Sequence, residues 1–201
     1  MVYKDHKQFR LPGHDYSLNG YYFITICTHN RVNYFGEILL ENGGAPSMAL
    51  SPIGKITVDC WRKIPVWCDY VKLDVFQIMP NHFHGIIIIE NNKRVSSDER
   101  RPRRNVADRR IGGLLRSYHQ NDDNPPSDYF SAISPKSQSL GAIVRSFKSR
   151  VSKECKNNDL DFYWQPRFHD HIIRTEREYK NIRYYISNNV NNWKNDQNYI
   201  K

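Results

Sequence analysis

The sequence predicts an α+β fold of strands and amphipathic helices, on three observations. Runs dense in aromatic and β-branched residues recur at 21–28, 71–79 and 82–90. Apolar residues fall at helical spacing after Ser51-Pro52 and again from Leu140. A short apolar run at Ile172-Ile173 leads into a capped helix from Thr175. Strand and helix signals alternating along one chain argue for a sheet covered by helices.

The bulk numbers narrow the class. With 201 residues, the chain is read as a single domain over 1–201 that includes an N-terminal arm over 1–20 and a flexible insertion over 91–139. A net charge of +9 and a pI of about 9.4 favour a polyanionic partner, nucleic acid before membrane. The 13 Tyr, 9 Phe and 4 Trp include rings suited to stacking on single-stranded bases, although most serve the core. Cys27, Cys60, Cys68 and Cys155 have no CxxC spacing, and the N-terminus has no signal-peptide pattern, so a reduced, cytoplasmic setting is expected. The longest apolar run, Ile86 to Ile89, is far too short to span a bilayer, and no membrane association is expected.

In order along the chain, Pro12-Gly13 and Asn19-Gly20 mark turns in a polar, basic lead-in. Residues 21–28 are apolar on both faces and predict a central strand. A second strand is expected over 35–41, closed by Asn42-Gly43-Gly44. Ser51 as N-cap and Pro52 at the first helical position start a helix. Its inner face is Ile53, Ile56, Cys60, Trp61 and Ile64, and Pro65 ends the run. Strands over 71–79 and 82–90 are separated by Pro80-Asn81, as a hairpin or one bent strand. Residues 91–139 are rich in Asn, Ser, Asp, Pro and Arg, with too few apolar groups to offset the entropy of ordering; a short helix is expected near 111–118. Leu140, Ile143, Val144, Phe147 and Val151 then give an amphipathic helix, with Arg145, Lys148 and Arg150 on its other faces. Those cations are either a solvated face or contacts to a DNA backbone.

The chemistry concentrates in His82-Phe83-His84. Residues i and i+2 of a strand share a face, so the two imidazoles stand side by side, a spacing that suits a shared divalent ion and equally an ordinary pair of strand histidines. In the last helix Tyr179, Ile182, Ile186, Val190 and Trp193 form the expected buried stripe. Tyr184 points to solvent and Tyr185 lies at the stripe's border, one turn from Asn189. A border tyrosine can reach a neighbouring strand, which makes Tyr185 a better nucleophile candidate than Tyr184, beside the plainer reading of a packing residue.

His82-Phe83-His84, within Met79-Pro80-Asn81-His82-Phe83-His84-Gly85, resembles the histidine–hydrophobic–histidine motif of single-tyrosine transposases. Trp164-Gln165-Pro166-Arg167-Phe168, Asp170-His171-Ile172-Ile173-Arg174 and Tyr184-Tyr185-Ile186-Ser187-Asn188-Asn189 resemble the C-terminal blocks of their REP-associated branch, and Arg10-Leu11-Pro12-Gly13-His14-Asp15-Tyr16 its N-terminal region. Where that branch often has Pro after the Asn pair, this chain has Val190. The resemblance covers most of the chain outside 91–139. It implies a ferredoxin-like (RRM-like) antiparallel sheet with helices on one face. It further implies that His82, His84 and Asn189 ligate a divalent metal, Mg²⁺ or Mn²⁺, and that Tyr185 attacks phosphorus of single-stranded DNA to leave a 5′-phosphotyrosine and a free 3′-hydroxyl. His171 fits one of its blocks as a DNA contact or a structural residue, Arg167 and Arg174 are candidate phosphate contacts, and His169 is given no role.

The expected function is therefore that of a transposase: a metal-dependent endonuclease and strand transferase acting on single-stranded or hairpin DNA. The alternatives are a domesticated relative that binds such DNA without cutting it, and a phosphoesterase that uses water while Tyr185 is structural. Relatives include monomers and homodimers, so the tyrosine is expected to face histidines of its own chain or of a partner.

Overall fold

The chain runs from β1 (Gly20–Cys27) into a ribbon of β2 (Gly36–Leu39) and β3 (Ser47–Leu50), then into helices α1 (Pro52–Arg62) and α2 (Ile64–Trp67). β4 (Val71–Met79) and β5 (His82–Ile89) follow, then α3 (Leu140–Asn157), β6 (His169–Ile173) and α4 (Glu176–Asn188). The computed structural model describes residues 11, 13–40, 44–91 and 136–199. Arg10, the expected helix near 111–118 and nearly all of the expected insertion lie outside the described residues.

The main sheet has the order β4-β5-β1-β6, with every neighbouring pair antiparallel. β4 and β5 are a hairpin across Pro80-Asn81, which decides between the two arrangements the sequence allowed. The α+β, antiparallel architecture is as expected. One implication of the resemblance is corrected: the helices do not share a face. Tyr22, Ile24 and Ile26 of β1 and Phe83, Ile87 and Ile89 of β5 are buried against Trp61 of α1 and Leu140, Ile143, Val144, Phe147 and Val151 of α3. The alternate residues, Phe23, Ile86 and Ile88, look the other way and meet Tyr179, Ile182 and Ile186 of α4. A strand apolar on both faces has to be covered on both, and this sheet is.

Local chemistry explains the boundaries. The Ser51 hydroxyl accepts from the Gly54 N–H and caps α1. Past Lys63, Pro65 takes an early position in α2 rather than ending the helical region. β3 was not foreseen; Ser47-Met48-Ala49-Leu50 has little β propensity and is strand because it pairs with β2. The lead-in is not loose from residue 13 onward. The Tyr16 carbonyl accepts from the Leu140 N–H, and Asp15 bonds Lys136 at 2.7 Å. Asn91 and Gln138, near the two ends of the expected insertion, bond each other side chain to side chain at 2.9 Å.

α4 departs from its expected length. Thr175 caps it as predicted, but it stops at Asn188, and Trp193 belongs to a separate 3-10 turn, Trp193–Asn195. The chain therefore folds back toward the sheet instead of continuing along it. Ile186 is the fully buried residue of the helix, Tyr185 is 41% exposed and Tyr184 is 72% exposed.

Gly85 tests the packing beneath the histidines. A Cβ there would lie 2.7 Å from Trp61 Cζ2. That indole is held at 4.5 Å from the Phe83 ring and 5.5 Å from the Phe147 ring, so it has no room to retreat. Gly85→Ala is expected to cost about 1–3 kcal/mol and to lower the thermal midpoint by roughly 3–10 °C, measured by circular dichroism.

Candidate metal and nucleophile site

β5 places His82 and His84 on the α4 face, 0% and 1% exposed, with ring centroids 4.5 Å apart. The bonds on their far nitrogens decide what the near ones can do. Asn81 Nδ2 donates to the Arg31 and Asn198 carbonyls at 3.2 and 2.9 Å, which fixes that amide and turns its Oδ1 to His82 Nδ1 at 2.9 Å. An amide oxygen only accepts, so Nδ1 carries the proton and Nε2 is left with its lone pair. His84 Nδ1 lies 2.8 Å from Thr25 Oγ1, across the β1–β5 register, leaving its Nε2 toward α4.

Two side chains approach the two Nε2 atoms. The Tyr185 hydroxyl is 3.3 Å from His84 Nε2, within one chain. Asp196 Oδ2 is 3.9 Å from His82 Nε2 and 3.4 Å from the Tyr185 hydroxyl. Ligand atoms of His82, His84 and Asp196 all lie within 4.8 Å of one another. Asp196 arrives on the fold-back after α4, where its Oδ1 accepts from the Asn198 N–H at 2.6 Å and Asn198 in turn binds Arg31. Asn189, expected as a ligand, is 2% exposed and directs its Nδ2 to Asp196 Oδ2 at 3.2 Å.

These residues fit a divalent cation. His82 Nε2 and Asn189 Oδ1 are buried without a hydrogen-bond partner among the described residues, and two imidazole nitrogens with a carboxylate are a donor set for such an ion. Thr25 and Asn81 supply the outer bonds that orient ligating imidazoles. The electrostatics agree. Burial, then the neighbouring His84 and Arg31, hold His82 well below its usual pKa. Burial pulls His84 down to about 4 against the pull of Asp196. Both are neutral, ligand-competent rings at pH 7. Burial, reinforced by the Asp196 charge, pushes the Tyr185 phenol up to about 12. Without a cation the phenol is a poor nucleophile.

His84, Tyr185, Asn189 and Asp196 line a cleft of about 620 Å³, with His82 behind them. A neighbouring cleft of about 690 Å³ takes in His171 and Arg174. The other candidate DNA contacts lie elsewhere. Arg167 sits exposed in the loop before β6 with φ +64°. Arg145, Lys148 and Arg150 are on α3, across the sheet. Lys148 donates to the Gln165 and Arg167 carbonyls at 2.6 and 2.9 Å, and burial pulls its amine down to about 8. Arg150 lies over the Trp67 ring at 4.1 Å. Sequence reasoning missed Asp196. One signal was available: it is the sole acidic residue after Glu178.

The buried imidazoles give the metal-free protein a pH dependence. An unfolded chain binds their protons near pH 6.5 and the folded one does not. Stability is thus fully present above pH 6.5 and falls as pH drops toward 4, by about 3 kcal/mol for His84 alone. Urea unfolding in EDTA between pH 7 and 4.5 should show this slope, and a His82→Gln/His84→Gln variant should flatten it.

No family profile matches the chain. An uncharacterized protein of Haemophilus influenzae is 34% identical over 199 residues, covering 96% of this chain and 93% of that protein. Among solved structures, a REP-associated tyrosine transposase bound to a REP hairpin aligns with a TM-score of 0.50 at 15% identity, over 90% of this chain and 72% of that one. A candidate transposase from Deinococcus radiodurans gives a TM-score of 0.35 at 14% identity, over 89% of this chain and 97% of that one, too distant to support an argument. The chain belongs to the same family as the Haemophilus influenzae protein, and its fold is that of the REP-associated tyrosine transposase.

Proposed function

We propose that this chain is a metal-dependent nuclease and strand transferase for single-stranded DNA, with Tyr185 as nucleophile and a 5′-phosphotyrosine intermediate. One observation carries the reading: within a single chain, the Tyr185 hydroxyl stands 3.3 Å from His84 Nε2 at the mouth of the His82, His84 and Asp196 cluster. A reacting phosphate placed against that hydroxyl also meets the metal-ligating atoms. The solved transposase of this fold is bound to a REP hairpin, and we carry a hairpin substrate over to this chain.

His82 and His84 would hold the ion through Nε2 and Asp196 through Oδ2, with Asn189 steadying the carboxylate or adding an oxygen. Two imidazoles with oxygen donors are compatible with Mg²⁺ or Mn²⁺. Held there, such an ion would supply positive charge against the phosphate and would offset the Asp196 field that disfavours the phenolate. Tyr185 Oη then bonds to phosphorus while the P–O3′ bond breaks. The 3′-oxygen leaves as a hydroxyl, and the downstream strand remains on Tyr185 as a phosphodiester that another 3′-hydroxyl can displace. Tyr184 is 72% exposed and takes no part. His171, Arg174 and Arg167 would contact flanking phosphates.

A hairpin oligonucleotide with single-stranded flanks, incubated with Mn²⁺, should give a covalent protein–DNA adduct on a denaturing gel. Tyr185→Phe should abolish it and Tyr184→Phe should retain it. Binding without any adduct would favour the non-cleaving reading, and hydrolysed product without adduct the water-using one.

Asp196→Asn supplies an independent test of the ion site. It keeps the shape and removes the anionic ligand, so Mn²⁺ affinity by calorimetry should fall at least tenfold, as roughly expected for loss of a ligand or its support. An unchanged affinity would remove Asp196 from the site.

A further inference from the structure

We infer that the cleft between β6 and the start of α4 is a subsite for one nucleotide flanking the scissile phosphate, its base against Phe23 and His169 and its phosphate on Arg174 and Arg177. The inference rests on the proposed reading of the Tyr185 site and names where the strand goes next.

Continuity is the first argument. The clefts of about 620 and 690 Å³ share Phe23, His169 and Tyr185. A strand whose phosphate meets the Tyr185 hydroxyl is therefore already at the mouth of the second cleft, which has the volume of an ordinary small-ligand site. β6 is an edge strand, so among the described residues no further strand walls off this end.

The floor suits a base. The Phe23 ring stacks on His84 at 5.5 Å with planes 23° apart, and meets Tyr185 at 6.2 Å and His169 at 6.5 Å. The register puts Thr25 opposite both His84 and His169, and Phe23 opposite His171. An imidazole and a phenyl ring thus border the cleft on adjacent strands. Stacking on such rings is sequence-tolerant and worth about 1–3 kcal/mol per base.

Charge settles the orientation. Arg174 and Arg177 line this cleft, and neither guanidinium is paired among the described residues. The acid beside them is occupied: Glu178 Oε1 is 2.5 Å from His171 Nε2, and its Oε2 accepts from the Arg174 N–H at 2.8 Å. Glu178, which also lines the cleft, therefore holds the end of β6 to the first turn of α4, its two oxygens turned onto His171 and the Arg174 N–H and not onto either guanidinium. The cations of α3 lack this arrangement. Lys148 and Arg150 are engaged with carbonyls and with an indole, on the other face of the sheet.

The test uses the full chain as Tyr185→Phe, in EDTA, so neither cleavage nor metal contributes. Its probe is a fluorescein-labelled DNA hairpin with short thymidine flanks, followed by anisotropy. Adding Arg174→Ala and Arg177→Ala should weaken binding roughly tenfold at low salt and reduce the slope of log K against log salt by about 0.7, the share of one neutralised single-strand phosphate. Lys153→Ala with Lys156→Ala, on α3, should change neither. Moving a single abasic nucleotide along the flanks should weaken binding at one position, and that penalty should vanish with His169→Ala. Unchanged affinity and slope in the arginine variant overturns the subsite, as does a loss confined to the α3 pair, or no binding of the probe at all. The two readings separate cleanly. An adduct from unmutated protein in Mn²⁺ with arginine-independent binding would leave the nuclease and remove the subsite. Arginine-dependent binding with no adduct would leave the subsite and remove the nuclease.

Discussion

The Asn81 side chain is the joint on which the site turns. Its oxygen accepts from His82, its nitrogen donates to Arg31 and Asn198, and its backbone carbonyl takes both the N–H and the hydroxyl of Thr28. One buried amide therefore ties together the β4–β5 turn, the loop after β1 and the returning C-terminal segment. Because an amide has an accepting end and a donating end, these bonds also set the tautomer of His82. A buried polar group with every bond made imposes one arrangement; half-made, it would impose a desolvation cost. The position of Asp196 follows, since Asn198 is gripped by Asn81 and Arg31 and its own N–H holds the carboxylate.

That scaffolding brings His82 against Asp196 with no hydrogen bond between them. Ring nitrogens of His82 and His84 and a carboxylate oxygen of Asp196 lie within 4.8 Å of one another, and His82 Nε2 faces that carboxylate at 3.9 Å with no hydrogen-bond partner among the described residues. In a medium of low effective dielectric, a lone pair that faces a carboxylate with no donor between them is unfavourable. The same geometry is favourable around a cation, so the arrangement makes physical sense as a binding site held open by its surroundings. The raised pKa of Tyr185 belongs to the same account: the carboxylate that would attract an ion also suppresses the phenolate until the ion arrives.

Much of this could be seen in the sequence, for reasons that differ from residue to residue. The α3 stripe of Leu140, Ile143, Val144, Phe147 and Val151 is buried throughout because helical periodicity is a local property. Local geometry also put His82 and His84 on one face and preferred Tyr185 to Tyr184. Asp196 was hidden because its position depends on where the chain goes after Asn188, which is decided by Asn81 and Arg31, more than 100 residues away. The same blindness affects β3, whose strand character comes from its partner, and the placement of α4, since a strand apolar on both sides does not say which helix covers which face. Lys148 shows the opposite error. By spacing it is a surface cation, yet the loop after α3 returns two carbonyls to it and half-buries it.

The division of the sheet into two unequal faces explains why chemistry and stability do not compete. One face carries the extended core with α1 and α3, where large rings interlock around Trp61 and Phe83. The other holds a small cluster of Ile86, Ile173 and Ile186 beneath a helix with one fully buried residue. Weakly covered backbone is where proteins open most readily, and here the thin cover is the helix that carries Tyr185. Under the proposed function, a DNA strand would approach the histidines past the rim of α4, on the face away from the packing that holds β1 and β5 in register. β5 contributes to both faces at once: Phe83 fixes the strand in the core while His82 and His84, on either side of it, are presented to the cleft. The rigidity of the two imidazoles thus derives from the face opposite the cleft.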